Sequence, residues 1–290
     1  MRKRFLALPL AVVLVFFNSC KSTNSEKPLL DPILQENLDN LVLVEGFESE
    51  GNIYNFKIGR YEVTQELYET VMGTNPSYYK NNPAPGENQN RRPIEFVSWY
   101  DAISFCNKLT TLTMGEKECC YTITNIVYKT DDDEAAKEKA IKETPTYVTF
   151  IKSADVVIDH TKKGFRLPTK EEWLFAAKGG LKSQNYRYAG SNNIGEVGWS
   201  LSNSGKKTHE VGMLKPNELG LYDMTGNVNE FCEDLAFYIN TRNEVFPRRV
   251  SCGGSSFYST VDSLLTKYDE ALESPGNGGR GFRIVCSEIK

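Results

Sequence analysis

Cysteine and histidine are the residues of this chain best suited to metal binding or covalent chemistry. The two histidines, His160 and His209, lie 49 positions apart, which gives little support to a histidine-rich metal site or to histidine-based catalysis. No C-x-x-C pair occurs, so neither a zinc ribbon nor a thioredoxin-type motif is indicated. Besides Cys20, the chain has six cysteines that could form disulfides after export, in pairings that the sequence does not determine: Cys106, Cys119, Cys120, Cys232, Cys252 and Cys286.

The bulk composition is that of an ordinary globular protein. The chain has 290 residues, of which 40% are hydrophobic and 25% are charged. This length allows one large domain or two small ones. The formal net charge is −4, so no basic field exists that would attract nucleic acid, and we expect no nucleic-acid partner.

The N-terminus predicts export. Arg2, Lys3 and Arg4 precede an apolar run from Phe5 to Phe17, which is too short for a relaxed membrane span and is typical of a secretory signal. The run ends in FNSC, which resembles a loose bacterial lipobox. That resemblance implies a lipoprotein signal peptide over residues 1–19 and acylation of Cys20, which would anchor the chain to a membrane. The alternative is a plain signal peptide cleaved nearby, with Cys20 an ordinary residue.

The remaining chain divides into a short tether and a long folded region. Residues 20–45 are polar and contain Pro28 and Pro32, so we expect a tether there and a domain over 46–290. Strand patterning covers Phe56 to Thr64. Helical spacing follows in QELYETVMG, with Gly73 as the C-cap, and again in VSWYDAISFCNKLTTL.

Two further features organise the second half. Residues 123–163 carry a charge-rich run and read as an insertion. Thr169 and Glu172 have the spacing of a capping box at the start of a helix. After Leu181, Gly, Asn and Ser become dense, which predicts loops and short strands.

Six sequence blocks follow one another along the chain in a recognisable order: FKIGRYEVTQELYETVMGTNPS, VSWYDAISFCNKL, GFRLPTKEEWLFAAKGG, NELGLYDMTGNVNEF, RRVSCGGS and GFRIVC. Together they resemble the formylglycine-generating-enzyme, or sulfatase-modifying-factor, domain, a variant of the C-type lectin fold. The resemblance runs from about Phe47 to Cys286. It implies an α+β fold in which two helices pack with small antiparallel sheets and long irregular loops.

The resemblance also bears on catalysis. The enzymes of that family use two cysteines after Gly-Gly-Ser to bind copper, because copper(I) prefers thiolate ligands. Those positions match Tyr258 and Ser263 here, and neither can supply a thiolate. We therefore expect no copper and no enzymatic activity. A modifying enzyme with a displaced active site is the alternative.

A second branch of the same fold fits the C-terminal region better. Gly253 to Arg283 opens on Gly-Gly-Ser and closes on Gly-Phe-Arg, and this arrangement resembles the variable proteins of diversity-generating retroelements, most closely treponemal variable surface lipoproteins. In that group, adenine-directed mutagenesis rewrites selected codons, mostly those ending in a pyrimidine. Such codons never encode Lys, Glu, Gln, Met or Trp, so Lys267, Glu270 and Glu273 are expected to be scaffold.

The resemblance implies a variable, ligand-binding region over 229–283. Its expected contact residues are Ser256, Phe257, Tyr258, Thr260, Asp262, Leu264, Leu265, Tyr268 and Asn277, joined by Phe237 and Tyr238. Aromatic residues give large contact areas at small entropic cost, which is typical of a paratope. The alternative is that the apolar members belong to the core, above all the adjacent leucines.

Calcium is expected from the resemblance as a structural ion. Asp223 and Glu230 would offer side-chain oxygens, and Gly226 and Val228 would offer carbonyls, a hard oxygen set that suits calcium. The alternative is that the two acidic residues only satisfy turn amides. GFRLPT and GFRIVC contain Arg166 and Arg283. We expect these arginines to be buried and to donate to loop carbonyls rather than to bind an anion.

The sequence thus predicts a lipid-anchored, exported binding protein at a bacterial cell surface or outer membrane. Its expected partner is a protein or other macromolecule on host or neighbouring cells. The alternatives are the modifying enzyme and an invariant envelope lipoprotein with the same fold.

Overall fold

Three groups of strands organise the chain in the computed structural model, which describes residues 30–128, 151–271 and 279–287. The first sheet has the order β1-β2-β10-β5 and is antiparallel throughout, with β1 Leu41–Ser49, β2 Asn52–Gly59, β5 Phe165–Arg166 and β10 Val285–Ser287. The second group is the antiparallel hairpin of β3 Tyr121–Tyr128 and β4 Ile151–Ile158. The expected insertion, 123–163, therefore begins within β3 and ends five residues after β4.

The third group is the sheet that carries the C-terminal tract. Its order is β8-β7-β6-β9, with β6 Asn229–Ile239, β7 Val245–Cys252, β8 Tyr268–Ala271 and β9 Arg280–Gly281. The short β9 pairs in parallel with β6, and the other pairings are antiparallel. The beginning and the end of the tract are thereby held in one sheet.

The described residues contain five α-helices: α1 Pro32–Asp39, α2 Gln65–Met72, α3 Trp99–Thr113, α4 Lys170–Ala177 and α5 Ile194–Val197. Short 3₁₀ turns cover Gln89–Arg91, Glu116–Glu118 and Gly180–Lys182. The α+β class is confirmed, with more helices than the two expected. None of these helices is long and apolar enough to span a bilayer.

The helix boundaries follow from local capping. Thr64 accepts a hydrogen bond from the Leu67 amide, and Gly73 ends α2 in the left-handed region with φ 82°. The expected capping box of Thr169 and Glu172 is present at α4. The predicted C-cap at Gly73 and the predicted capping box are confirmed.

Two boundaries predicted from the sequence are wrong. The compact unit begins at Asp31, and α1 and most of β1 occupy residues assigned to the tether. Pro32 is the physical reason, because proline fits the first turn of a helix, and Asp31 caps that helix by accepting from the Ile33 amide. The strand expected to reach Thr64 ends at Gly59, since Thr64 is the cap of α2.

One hydrophobic core cluster, the α4 cluster, lies between α4 and the first and third groups of strands. Trp173 and Ala176 of α4 pack with Phe56, Ile58 and Val285 of the first sheet. Cys232 and Cys252 of the third sheet belong to the same cluster, with their Sγ atoms 3.8 Å apart, and the six cysteines of the described residues are free thiols. The core therefore joins α4 to both sheets.

A buried ion pair crosses this core. The Arg283 guanidinium donates to both carboxylate oxygens of Glu230, at 2.6 and 2.7 Å, and the Trp173 Nε1–H donates to Glu230 Oε2 at 2.7 Å. Arg283 also donates to the carbonyls of Gly59 and Tyr222, at 3.0 and 2.9 Å. The preference for a buried carbonyl-binding arginine over an anion site is confirmed for Arg283, and Arg166 likewise binds the Leu167 carbonyl and Glu172.

We predict that Arg283→Met lowers the free energy of unfolding by about 3–5 kcal/mol, because it leaves the Glu230 carboxylate buried without a cation. The matched control is Lys215→Met, which removes an exposed partner of Glu196 and is expected to cost less than about 1 kcal/mol. Urea denaturation at neutral pH measures both. Similar small losses in the two variants would contradict the prediction.

Candidate ligand-binding site

The tract between Gly253 and Arg283 is fixed at both ends by close backbone contacts. Gly254 has φ 74°, and a Cβ on it would lie 2.4 Å from Ser263 Oγ. A Cβ on Gly281 would lie 2.4 Å from the Ile94 carbonyl oxygen. Only glycine fits at these positions, so the ends of the tract are constrained by packing.

The first residues of the tract are tied to the loop that follows α5. The Ser256 amide donates to the Asn227 carbonyl at 2.9 Å, and the Ser204 hydroxyl donates to the Ser256 carbonyl at 2.6 Å. The Leu201 amide donates to the Tyr258 carbonyl at 3.0 Å. Because these bonds use the backbone of the tract, they do not depend on its side chains.

Several expected contact residues reach solvent. Tyr268 is 51% exposed, and Asp262 is also exposed. Four others are half-buried: Phe257, Tyr258, Thr260 and Leu264. We call these six residues the binding face.

Two expected contact residues are buried instead, which corrects the prediction. Ser256 is fully buried, because the loop after α5 covers it. Leu265 is 5% exposed and belongs to the α4 cluster, while Leu264 packs beside a smaller cluster that contains Ile194. The expectation that adjacent leucines bury at least one side chain is thus confirmed. Asn277 lies outside the described residues.

The distal parts of β6 and β7 form a two-stranded ribbon over residues 235–247, since β8 and β9 pair only with the proximal parts. Phe237 and Tyr238 are 59% and 46% exposed there. Neighbouring residues in a strand point to opposite faces, so these two cannot both belong to one flat contact surface. Phe237 shares its face with Ile239 and Val245, which are also exposed.

A pocket of about 260 Å³ opens within the binding face. It is lined by Asn229, Gly254, Tyr258, Asp262, Lys267, Tyr268 and Asp269. The Tyr258 hydroxyl and Arg280 Nη2 both donate to Asp269 Oδ2, each at 2.7 Å. Burial would raise the pKa of Asp269, but these bonds outweigh it and hold the pKa below its usual value.

Several pocket residues were not predicted to contact a ligand. Lys267 was assigned to the scaffold on codon grounds, and Asp269, which accepts a hydrogen bond from Arg280, was not singled out. Asn229 begins the region 229–283 but was not named among its expected contact residues. Its place on the pocket wall follows from its pairing with Arg280 across β6 and β9.

The positions matched to copper-binding cysteines are hydrogen-bonded here. Tyr258 donates to Asp269, and the Ser263 hydroxyl donates to the Ser259 carbonyl at 3.2 Å. Neither side chain has the soft sulfur that copper(I) prefers. Within the described ranges, no three His, Cys, Asp or Glu side chains are placed to hold a metal ion together.

One of the residues expected to bind calcium, Glu230, is engaged by an arginine. Both oxygens of Glu230 are bonded to Arg283, so this carboxylate is neutralised and the guanidinium would repel a divalent cation. Asp223 accepts from the Gly212 amide, and the Val228 amide donates to Glu62. Glu230 is thus the partner of Arg283, and because Asp223 Oδ1 is buried without a hydrogen-bond partner, calcium at Asp223, Gly226, Val228 and Glu230 stays a prediction.

The loop before α3 supports the binding face from one side. The Tyr79 and Phe257 rings pack with their centroids 6.0 Å apart. The buried Glu95 carboxylate accepts from the amides of Tyr78 and Tyr79, at 3.1 and 2.8 Å. Burial raises the pKa of Glu95 to about 7, although the two amide bonds oppose the shift.

Comparison with known proteins assigns the family. A model of the sulfatase-modifying factor enzyme 1-like domain matches residues 39–288. The chain belongs to the sulfatase-modifying factor enzyme 1-like family. Family membership alone does not decide between catalysis and binding, because one fold can carry both.

The individual proteins that this chain resembles include some that are named as enzymes and some that are not. The chain is 37% identical over 278 residues to the "Chaperone protein LppX" of Paenibacillus barcinonensis, covering 86% of this chain and 90% of that one. It is similar to the structure of Treponema denticola variable protein 1, with a TM-score of 0.63, 33% identity, and coverage of 86% and 92%. Neither name is that of an enzyme. The formylglycine-generating enzyme of Mus musculus is 33% identical over 160 residues, 47% of this chain and 42% of the enzyme.

We predict that Glu95 makes the fold less stable as pH rises. Its pKa is about 7 in the folded chain against an ordinary value of 4.5, so the stability contribution is full below pH 4.5 and is lost as pH rises through 7. Relative to Glu95→Gln, which stays neutral, the wild type should lose roughly 2–3 kcal/mol between pH 5 and pH 8. Urea denaturation at the two pH values tests this, and parallel pH profiles would refute it.

Proposed function

We propose that this protein is a non-enzymatic, lipid-anchored binding protein that displays a diversified C-terminal face at the bacterial surface. The observation that carries the proposal is the exposed and half-buried set of Tyr, Phe, Asp, Thr and Leu side chains on a backbone held by other parts of the chain. Such an arrangement lets side chains change while the frame persists.

The chemistry of the binding face suits a macromolecular ligand. Tyrosine and phenylalanine supply contact area with few rotatable bonds, and Asp262 and Thr260 supply adaptable hydrogen bonds. The ribbon adds exposed apolar surface at Phe237 and Ile239. Surfaces of this composition are typical of protein recognition. The ligand is therefore proposed to be a protein or other macromolecule on a host or neighbouring cell.

The proposed location rests on the N-terminal sequence. A positive start, an apolar run and Cys20 together favour export and acylation. Residues 21–30 then precede the compact unit, which begins at Asp31, and would act as a short tether. The membrane is thus a partner through the lipid anchor, while the net charge of −4 argues against nucleic acid.

The non-enzymatic part of the proposal is supported by Tyr258 and Ser263. The resemblance places copper-binding cysteines at these positions in the enzymes, and both side chains here are engaged in hydrogen bonds within the tract. The names of the two long matches, a chaperone protein and a variable protein, also fit a binding role.

A matched pair of display libraries tests the proposal. One library randomises Tyr258, Thr260, Asp262 and Tyr268, and the control library randomises four exposed residues elsewhere: Ile53, Val157, Leu181 and Met213. Both are selected against hen lysozyme and serum albumin. We expect binders with Kd of about 1 μM or tighter only from the first library, because three of its four positions line a pocket.

Two results would overturn the proposal. Equal yields from both libraries would mean that the binding face has no special capacity for contact. Formation of formylglycine in a cysteine-containing sulfatase peptide by the copper-treated full chain, detected by mass spectrometry, would show an enzyme instead.

A further inference from the structure

The pocket of the binding face is lined by a buried asparagine that lacks well-formed hydrogen bonds. Asn229 lines it and is only 1% exposed, yet its Oδ1 has no hydrogen-bond partner and its Nδ2 has none of good geometry, since the Tyr258 hydroxyl oxygen can accept at most one of the two Nδ2 hydrogens. The Tyr258 hydroxyl lines the same pocket, but it gives its single proton to Asp269 and has none for Asn229 Oδ1. A buried amide without partners is costly, so this side chain is suited to bonds from outside the chain.

The charges around the pocket are balanced. Asp269 is paired with Arg280 at 2.7 Å, and the exposed rim carries one acid and one base, Asp262 and Lys267. A charged ligand group would lose its hydration without meeting an unpaired opposite charge inside. The pocket therefore favours a neutral group.

The size of the pocket suits a single side chain. Its volume of about 260 Å³ exceeds the roughly 150 Å³ of a cavity that holds benzene. The Tyr258 and Tyr268 rings supply apolar walls for a short aliphatic stem. A side chain with a few methylenes and a polar end would reach Asn229.

We infer that this pocket binds a carboxamide, presented by an asparagine or glutamine side chain of the protein ligand. A carboxamide carries a donor and an acceptor side by side, so it can bond to Asn229 Oδ1 and Nδ2 at the same time. Each such bond contributes modestly, and two together should favour the amide by about tenfold in Kd over an isosteric apolar group. This inference rests on the proposed function and names the chemistry of the same site.

Capped amino acids of equal size test the inference. N-acetyl methylamides of glutamine, glutamate and leucine are titrated into the full folded chain labelled with ¹⁵N, and the Asn229 side-chain amide resonances are followed. We expect the glutamine probe to shift these resonances and to bind about tenfold more tightly than the other two. Equal binding of the three probes, or no shift at Asn229, would overturn the inference.

The variant Asn229→Leu separates recognition from folding. It removes both polar atoms while keeping the side-chain size, so the variant should be at least as stable as the wild type. It should also lose the preference for glutamine. The control Asn203→Leu removes a partnered asparagine, which donates to the Gly198 carbonyl, and should destabilise the fold while leaving that preference intact. A destabilised Asn229→Leu variant would show that the amide is already satisfied in the free protein, against the inference.

Two further comparisons identify the source of the carboxamide and show whether the pocket inference or the proposed function has failed. Free glutamine binding more tightly than the capped probe would retain the carboxamide and assign it to a small molecule. If the first display library yields binders but the three probes bind equally, the carboxamide inference is rejected and the proposed binding function stands. Glutamine-selective binding with a failed library would support the pocket and reject the wider face.

Discussion

The ion pair between Glu230 and Arg283 is the interaction on which the rest of the site depends. Arg283 is the last residue of the C-terminal tract, and Glu230 is the second residue of β6. Together with Trp173 of α4 and the carbonyls of Gly59 and Tyr222, the pair joins both sheets to the loops beneath the tract. Breaking it would leave a charge in the core, so this frame tolerates little change.

That constraint explains why a tract without a regular pattern can have a defined position. Its ends are held by strand pairing, by glycines in close contact and by the ion pair. Its first residues are held through backbone bonds to the loop after α5. Side chains such as Tyr268 then contribute little to folding and are free to serve contact.

Local signals predicted the helices well, because a cap and its partner are three residues apart. Thr169 with Glu172 and Gly73 after α2 are examples. Pro32 misled the interpretation, since the same residue suits a tether and the first turn of a helix. The family resemblance anticipated the α+β fold, and the structure places Tyr268 in solvent and Tyr258 half-buried, while their role in binding stays a prediction.

The rest depends on contacts that are distant in sequence. Glu230 meets Arg283 across 53 positions, which turned an expected calcium ligand into half of an ion pair. The burial of Ser256 depends on Ser204, 52 positions away. The pocket at Asn229 depends on β8 and β9 lying in one sheet with β6. None of these partners is marked by a local pattern.

The claim that a changeable face sits on a constant frame is tested most directly in the gene's own neighbourhood. The account predicts a near-identical repeat of the region encoding the tract, beside a reverse-transcriptase gene, with differences at adenines. Those differences should fall in the codons of the binding face, such as Tyr258 and Tyr268, and should spare Leu265 and Arg283. A neighbourhood without the repeat, or differences concentrated in the buried codons, would contradict the account.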